Sequence, residues 1–293
     1  MFWAESIRMA KKYLSIGIPA SVIADTPHLR EKTAKIGYVA RAAAIFCVDE
    51  IIVYADNPKA NQKRDLEFVS LLLRYLETPQ YLRKRLFGLK PELQFAGILP
   101  PLRTPHHPQQ ASVRSLKVGD YRDGVVLSKT EEAAQVDIGV EKPAVLLSNR
   151  VSINQRLTLK VAETKADQIL VQVANKAEIP EYWGYGVSVE MSSLRNWLES
   201  RKFDLVVGTS KLAPRFQDSA GVLASRWYKS RSVLLLFGAP TRGLFEIAKD
   251  EGARLDAIVD FVLNTVPDQG TETVRTEEAL LATLAIFNEH FNV

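Results

Sequence analysis

Val233-Leu234-Leu235-Leu236-Phe237-Gly238-Ala239-Pro240-Thr241-Arg242-Gly243 is a short apolar run that empties into a glycine- and proline-bearing loop. The run has the length of a buried strand and is far too short to cross a membrane. Leu205-Val206-Val207-Gly208, continued by Thr209-Ser210-Lys211, has the same design upstream. Downstream, Ile258–Leu263 reads as another strand and opens into a long polar loop, Asn264 to Thr276. Glu277 to His290 then reads as the last helix, with Thr276 as its N-cap and Glu277 and Glu278 in the first turn, where the helix dipole favours acid.

The same alternation appears at the other end of the chain. Leu14–Pro19 reads as a strand. His28 to about Phe46 reads as a helix with Leu29, Ala34, Ile36, Val39, Ala40 and Ala43 as its apolar positions. Asp49–Tyr54 is a strand rich in β-branched residues. Asn61–Glu77 is a helix with Leu66, Val69, Leu72, Leu73 and Leu76 on one face, and Gln80–Phe87 is a short helix started by Pro79. After Pro180, Val187–Glu190 reads as a strand and Leu194–Ser200 as a helix. This order predicts a parallel sheet flanked by helices, an α/β fold.

The middle of the chain is different. From about Leu93 to Asn175 no long helical period occurs. Pro100, Pro101, Pro105 and Pro108 surround His106-His107, which reads as a linker with a surface turn. Five β-rich runs follow: Gly124–Ser128, Ala133–Ile138, Ala144–Leu147, Arg156–Ala162 and Gln168–Ala174. Short strands at this spacing predict a small all-β barrel of OB type. The expected organisation is therefore an α/β domain in two parts, 1–91 and 177–293, interrupted by a β-barrel at 92–176.

Composition excludes several classes. The chain has 293 residues and one cysteine, so an internal disulfide framework and a multi-cysteine zinc or iron–sulfur site are ruled out. Cys47 lies in an apolar run and is expected to be a buried small hydrophobe. The four histidines lack metal-ligand spacing. Neither a P-loop nor a full dinucleotide fingerprint occurs, and no zinc-protease motif or nucleophile elbow is present. Asp137-Ile138-Gly139-Val140 falls in the β-rich segment without further glycines and is not a cofactor motif. Met1–Glu5 lacks a signal-peptide pattern, and the chain is expected to be soluble and intracellular, cytoplasmic if the source is prokaryotic. The net charge of +4 is compatible with an acidic partner.

In open α/β sheets ligands bind beyond the carboxyl ends of strands. Three strand ends here carry suspicious loops: Gly208–Lys211, Gly238–Gly243 and Asn264–Thr276. Their glycines let backbone approach a ligand closely, and their amides and carbonyls are suited to reading an adenine edge and ribose hydroxyls.

These loops carry a resemblance. Phe237-Gly238-Ala239-Pro240, Asn264-Thr265-Val266-Pro267-Asp268-Gln269-Gly270 and Val274-Arg275-Thr276-Glu277-Glu278-Ala279 resemble the archaeal–eukaryotic branch of the SPOUT RNA methyltransferases, which has an inserted OB-like domain. Ser15–Pro19, Ala40-Arg41-Ala42, Val48–Ile51, Tyr75–Lys84 and Leu93–Gly97 resemble its opening half. The resemblance spans nearly the whole chain. It implies a C-terminal trefoil knot, a homodimer, S-adenosylmethionine as cofactor and RNA as substrate, with uridine N3 of large-subunit ribosomal RNA as the favoured target. On matching positions it implies a donor pocket of Gly208, Phe237, Gly238, Pro240, Gly243, Asn264, Thr265, Gly270, Val274 and Thr276. Arg242, Asn264, Gln269 and Arg275 are the candidate catalytic residues: the arginines to meet phosphate or developing negative charge, the amides to orient the base. Glu246, Asp268 and Glu272 are general-base candidates by location. RNA contact is expected from Arg83, Lys84, Arg103, Arg114, Lys117, Arg122 and Lys129, with no metal and no membrane involved. The competing reading is a non-catalytic RNA-binding protein of ribosome assembly.

Overall fold

The structure is a computed structural model that describes residues 12–57, 59–165 and 168–292; the reading of Met1–Glu5 lies outside them. The chain forms two compact units. One comprises 1–74, 95–100 and 185–293, and the other 75–94 and 101–184.

The first unit is built on a six-stranded sheet in the order β11-β9-β10-β1-β2-β8, parallel at every pairing. Its strands are β1 (Tyr13–Pro19), β2 (Glu50–Tyr54), β8 (Gly186–Glu190), β9 (Leu205–Thr209), β10 (Ser232–Leu236) and β11 (Phe261–Leu263). Leu14 to Pro19 are all buried, as expected of a central strand with both faces covered. Helix α1 (Leu29–Ile45) packs against α7 (Thr276–Phe291). On the sheet, Ile52, Tyr54, Leu234 and Leu236 share a core with Trp197 of α4 (Leu194–Arg201) and Ile247 of α6 (Leu244–Asp250). Because β10, β9 and β11 are neighbours, their carboxyl ends lie side by side and the three loops meet there.

Several local expectations are corrected. β11 spans only Phe261–Leu263; Ile258 instead follows a 3-10 turn at Leu255–Ala257. Thr276 is the first residue of α7, not its cap. Arg275 holds the cap position with extended backbone, and its N–H donates to the Glu278 carboxylate at 2.9 Å. Helix α5 (Phe216–Lys229) and α6 fill stretches for which the sequence pattern suggests no element. Cys47 is exposed. α1 stops at Ile45, and Cys47 turns the chain with φ +51°.

The second unit holds a closed barrel in the order β3-β4-β5-β7-β6, as the five β-rich runs suggested. Its strands are β3 (Tyr121–Lys129), β4 (Ala134–Asp137), β5 (Ala144–Leu146), β6 (Arg156–Thr164) and β7 (Ile169–Val173), and β5 with β7 is the parallel pair. β3 and β6 are long and each breaks register once, between Val126 and Ser128 and between Val161 and Glu163. Such bulges bend a strand enough to close a small barrel. At Gly124 a Cβ would sit 2.7 Å from Val136 Cγ1 and 2.8 Å from Leu159 Cδ1, so the barrel wall tolerates no side chain there. Val126, Val136, Leu159, Val161, Ile169 and Val171 fill the interior.

A polar network is buried in this unit. Arg156 donates to Glu77 at 2.6 and 3.0 Å and also to Asp123. Asp123 further accepts from Thr158 Oγ1 at 2.9 Å and Trp183 Nε1 at 3.0 Å. His106 and His107 both donate Nε2–H to the Glu77 carbonyl, at 2.8 and 2.7 Å. His106 is 1% exposed, so the pair is not the surface turn its prolines suggested. Burial alone would push the Glu77 carboxyl up, but the hydrogen bond from His106 and the charge of Arg156 bring it down to about 2. Burial, followed by repulsion from His106, lowers His107 to about 4; Arg83 adds to the repulsion and Glu77 opposes it.

Acid is therefore expected to destabilise this unit in two stages. A depressed histidine stays neutral in the fold while the unfolded chain takes the proton, so its contribution fades from about pH 6.5 down to 4. The Glu77 contribution is complete above about 4.5 and is lost as the pH falls through about 2. Each is worth at most ~3 kcal/mol. Urea midpoints measured from pH 7 to 3 check this; a flat profile down to pH 4 would refute the His107 stage.

Candidate active site

The loops after β9, β10 and β11, with the start of α7, enclose a cavity of about 360 Å³. The local sequence explains each wall. β10 ends at Leu236, and the Ala239 N–H donates to the Arg242 carbonyl at 2.8 Å, closing a tight turn. Gly243 then starts α6, its N–H donating to Glu246 at 3.1 Å. At the root, the buried Tyr54 hydroxyl donates to the Phe237 carbonyl at 2.6 Å. Burial, reinforced by Asp56, holds that phenol well above its usual range, so it remains a donor. Thr276 Oγ1 donates to the Gly238 carbonyl at 3.0 Å and ties the turn to α7.

The third loop is held from inside. Asn264 Nδ2 donates to the Lys211 carbonyl at 3.1 Å while its Oδ1 accepts from Val266 N–H at 3.0 Å. Gln269 Nε2 donates to the carbonyls of Thr271 and Glu272, at 2.8 and 3.1 Å. Lys211 Nζ reaches the Glu272 carbonyl at 2.9 Å.

Phe237, Gly238, Pro240, Arg242, Gly243, Asn264, Thr265, Gln269, Val274 and Thr276 therefore meet around one cavity, together with Glu246 and Glu272. Gly208, Gly270 and Arg275 do not line it. Gly208 is buried in β9, and a Cβ there would press on Leu244 Cδ1 at 3.1 Å. Asp268 points elsewhere, paired with Arg215 at 2.9 Å. Ser210, Leu212, Phe245 and Thr273 also line the cavity. Ser210 and Thr273 lie in loops the sequence singles out, whereas Leu212 and Phe245 were missed because single apolar residues next to a turn carry no distinguishing pattern.

The arginine in the turn is committed. Arg242 donates to the carboxylates of Asp56 and Asp250, at 3.2 and 2.8 Å, and to the Asp56 carbonyl. The charged lining is thus Lys211 and Arg242 against Glu246 and Glu272, with Arg242 already neutralised by its partners. A phosphate site needs surplus positive charge or a helix start aimed at the anion. The starts of α6 and α7 border this cavity, but each is already met by its own carboxylate, Glu246 on the Gly243 N–H and Glu278 on the Arg275 N–H, and what remains is loop backbone. Among the described residues, the N–H groups of Gly238, Thr265 and Val274 donate to no protein acceptor. That donor set, beside carboxylates, fits a nucleoside with a cationic tail better than a polyphosphate.

The residues expected to touch RNA divide. Lys84, Arg103, Arg114, Lys117 and Lys129 are exposed in the second unit. Arg83 lies over the Tyr75 ring at 4.7 Å and donates to the carbonyls of Thr78 and Leu76. Arg122 is 7% exposed and donates inward to the Gln110 carbonyl at 3.3 Å, so it offers no surface charge. Among the described residues no group of histidine, cysteine and carboxylate side chains could hold a metal, and no helix is long and apolar enough to cross a membrane.

A parallel sheet whose strand ends wrap a backbone-lined cavity, in a chain that also carries a closed β-barrel, defines an α/β enzyme with a built-in second module. Residues 13–287 match the family described as putative RNA methyltransferase, and the chain belongs to it. It is 35% identical over 289 residues to an uncharacterised protein of Halobacterium salinarum, covering 92% of this chain and 96% of the relative. It is 32% identical to the 28S rRNA (uridine-N(3))-methyltransferase of Mus musculus, covering 93% of this chain and 75% of that protein. The human protein of the same name is 31% identical, with 93% and 77% covered.

Proposed function

We propose that the protein methylates N3 of a uridine in large-subunit ribosomal RNA, with S-adenosylmethionine bound in the cavity at the ends of β9, β10 and β11. The observation that carries this reading is the convergence of three loops on one backbone-lined cavity in a member of an RNA methyltransferase family. The naming of the mouse and human relatives supports the choice of uridine N3.

S-adenosylmethionine supplies an activated methyl group when bound. The uncommitted N–H groups of Gly238, Thr265 and Val274 would hold its adenosine, and the carboxylates of Glu246 and Glu272 lie on the walls to favour a cation. Asn264 holds the Lys211 and Val266 backbones in register, so its part is to shape the cavity. N3 must lose a proton before or as it attacks, and Glu246 or Glu272 is the base candidate on the wall. The exposed basic residues of the unit that holds the barrel, Lys84, Arg103, Arg114, Lys117 and Lys129, would neutralise RNA phosphates, the use expected of an OB-like module. A homodimer, an intracellular location and a trefoil knot belong to the same proposal. Residues Pro214 to Phe216 and Asn264 bond in both directions, Asn264 N–H to the Pro214 carbonyl at 2.8 Å and Phe216 N–H to the Asn264 carbonyl at 2.9 Å. They tie the loop after β11 to the start of α5.

The test is calorimetric titration with S-adenosylmethionine and its demethylated product, followed by transfer of labelled methyl to ribosomal RNA. Binding of both, with label at uridine N3, is the expected result. RNA binding without donor binding would replace this reading with a non-catalytic one. Asn264→Ala is expected to weaken donor binding about tenfold, since two cavity hydrogen bonds are lost, while RNA affinity stays. Unchanged donor affinity in that variant would remove Asn264 from the site.

A further inference from the structure

The guanidinium of Arg242 on the cavity wall is already taken by carboxylates, and the buried group that receives it has no role in the reading above. Asp56 is fully buried just past the end of β2. Its carboxylate accepts from Ser21 N–H at 3.1 Å, Ser21 Oγ at 2.6 Å, Gln62 Nε2 at 2.9 Å and Arg242 Nη2 at 3.2 Å. Those four donors fill a carboxylate's acceptor capacity. The side chain of Gln62 answers by accepting from the N–H groups of Asp56 and Asn57, at 2.9 and 2.8 Å. One carboxylate thus joins the segment after β1, the end of β2, the approach to α2 (Lys63–Glu77) and the turn after β10.

Arg242 takes a second carboxylate, Asp250 of α6, with its other terminal nitrogen at 2.8 Å. Its backbone carbonyl meanwhile closes the turn on Ala239. The turn is therefore gripped at its root by Tyr54 and at its tip by Asp56, both from one strand end.

We infer that Asp56 is a positioning residue for the donor pocket. Acting through Arg242, it fixes the turn Gly238–Gly243 in the shape that presents its backbone to the methyl donor. Arg242 then contributes by holding the turn, not by placing a charge on the substrate. This rests on the donor-binding reading only for the identity of the ligand; the grip on the turn stands apart from it.

The test uses the full-length protein with Asp56→Asn, Arg242→Ala, Arg242→Lys and the Asp56→Asn/Arg242→Ala double variant. S-adenosylhomocysteine affinity is measured by calorimetry, and amide hydrogen exchange is followed at residues 238–243. Asp56→Asn is expected to weaken the ligand about tenfold or more, as loss of one side of a buried charged pair does, and to speed exchange in the turn with the barrel unaffected. Because Asp56 works through Arg242, it should add little in the Arg242→Ala background. Arg242→Lys should recover part of the loss, since a lysine keeps the charge without the fork. Full additivity, or unchanged exchange in the turn, would overturn the inference. If the wild type binds no ligand, the donor reading fails and the exchange measurement alone decides the clamp. If Asp56→Asn does not fold, Arg242→Lys and Asp250→Ala decide it, with slower loss expected for the exposed Asp250 partner than for Arg242 itself.

Discussion

Gly238→Val is expected to lower donor affinity at least about a hundredfold, on the order of 3 kcal/mol. A Cβ at Gly238 would meet Leu244 N at 3.0 Å, Gly243 Cα at 3.1 Å and the Arg242 carbonyl at 3.2 Å. All three are backbone atoms of the turn and the start of α6. They cannot swing aside as a side-chain tip can. Two further valine methyls would force the turn open and draw the Gly238 carbonyl off Thr276. Calorimetry with S-adenosylmethionine reads the effect, and the thermal midpoint separates a reshaped cavity from a lost fold. Wild-type affinity in this variant would show that the turn does not contact the donor.

Asp123→Ala is expected to cost about 3–5 kcal/mol in the unit that holds the barrel, among the largest single effects in the molecule. Asp123 is fully buried and satisfies Arg156, Thr158 and Trp183 at once. Its removal leaves the guanidinium with Glu77 as its one remaining carboxylate, beside the Thr78 hydroxyl, and strands two buried donors. Breaking the exposed Lys165–Glu163 pair with Lys165→Ala should change stability by less than about 0.5 kcal/mol, because solvent already screens it. Urea unfolding of the two variants makes the comparison. Equal small losses would mean that water relieves the Asp123 site.

Much of the architecture was legible because it depends on periodicity. Apolar runs ending in loops marked β9 and β10, and alternating runs between turn signals marked all five barrel strands. α6 was not legible: Leu244–Asp250 is short and lies between two loops. Nor was the start of β11, where Ile258 and Val259 look like strand but serve a 3-10 turn and the core beside α6. The cavity walls were partly legible, since glycines and prolines after strands already point to close backbone. The polar wiring was not. Nothing in the spacing of Asp56 and Arg242, or of Glu77, Asp123 and Arg156, announces that they meet, because these pairings are made by topology. His106-His107 was misread for the same reason. Its prolines suggest a surface, whereas its partner is a carbonyl some 30 residues earlier.

The central place of β1 has a consequence for synthesis. Ser15 pairs with Glu50 on one side and with Leu234 on the other. At typical elongation rates the second partner emerges from the ribosome roughly 10–40 s after the first strand. During that interval all five barrel strands, which lie between Tyr121 and Val173, have been synthesised. The nascent chain thus carries every barrel strand while β1 waits with the backbone groups of one edge unpaired. That edge is the natural target for a chaperone on the ribosome, and slowing translation after the barrel would lengthen the wait in which misfolding competes.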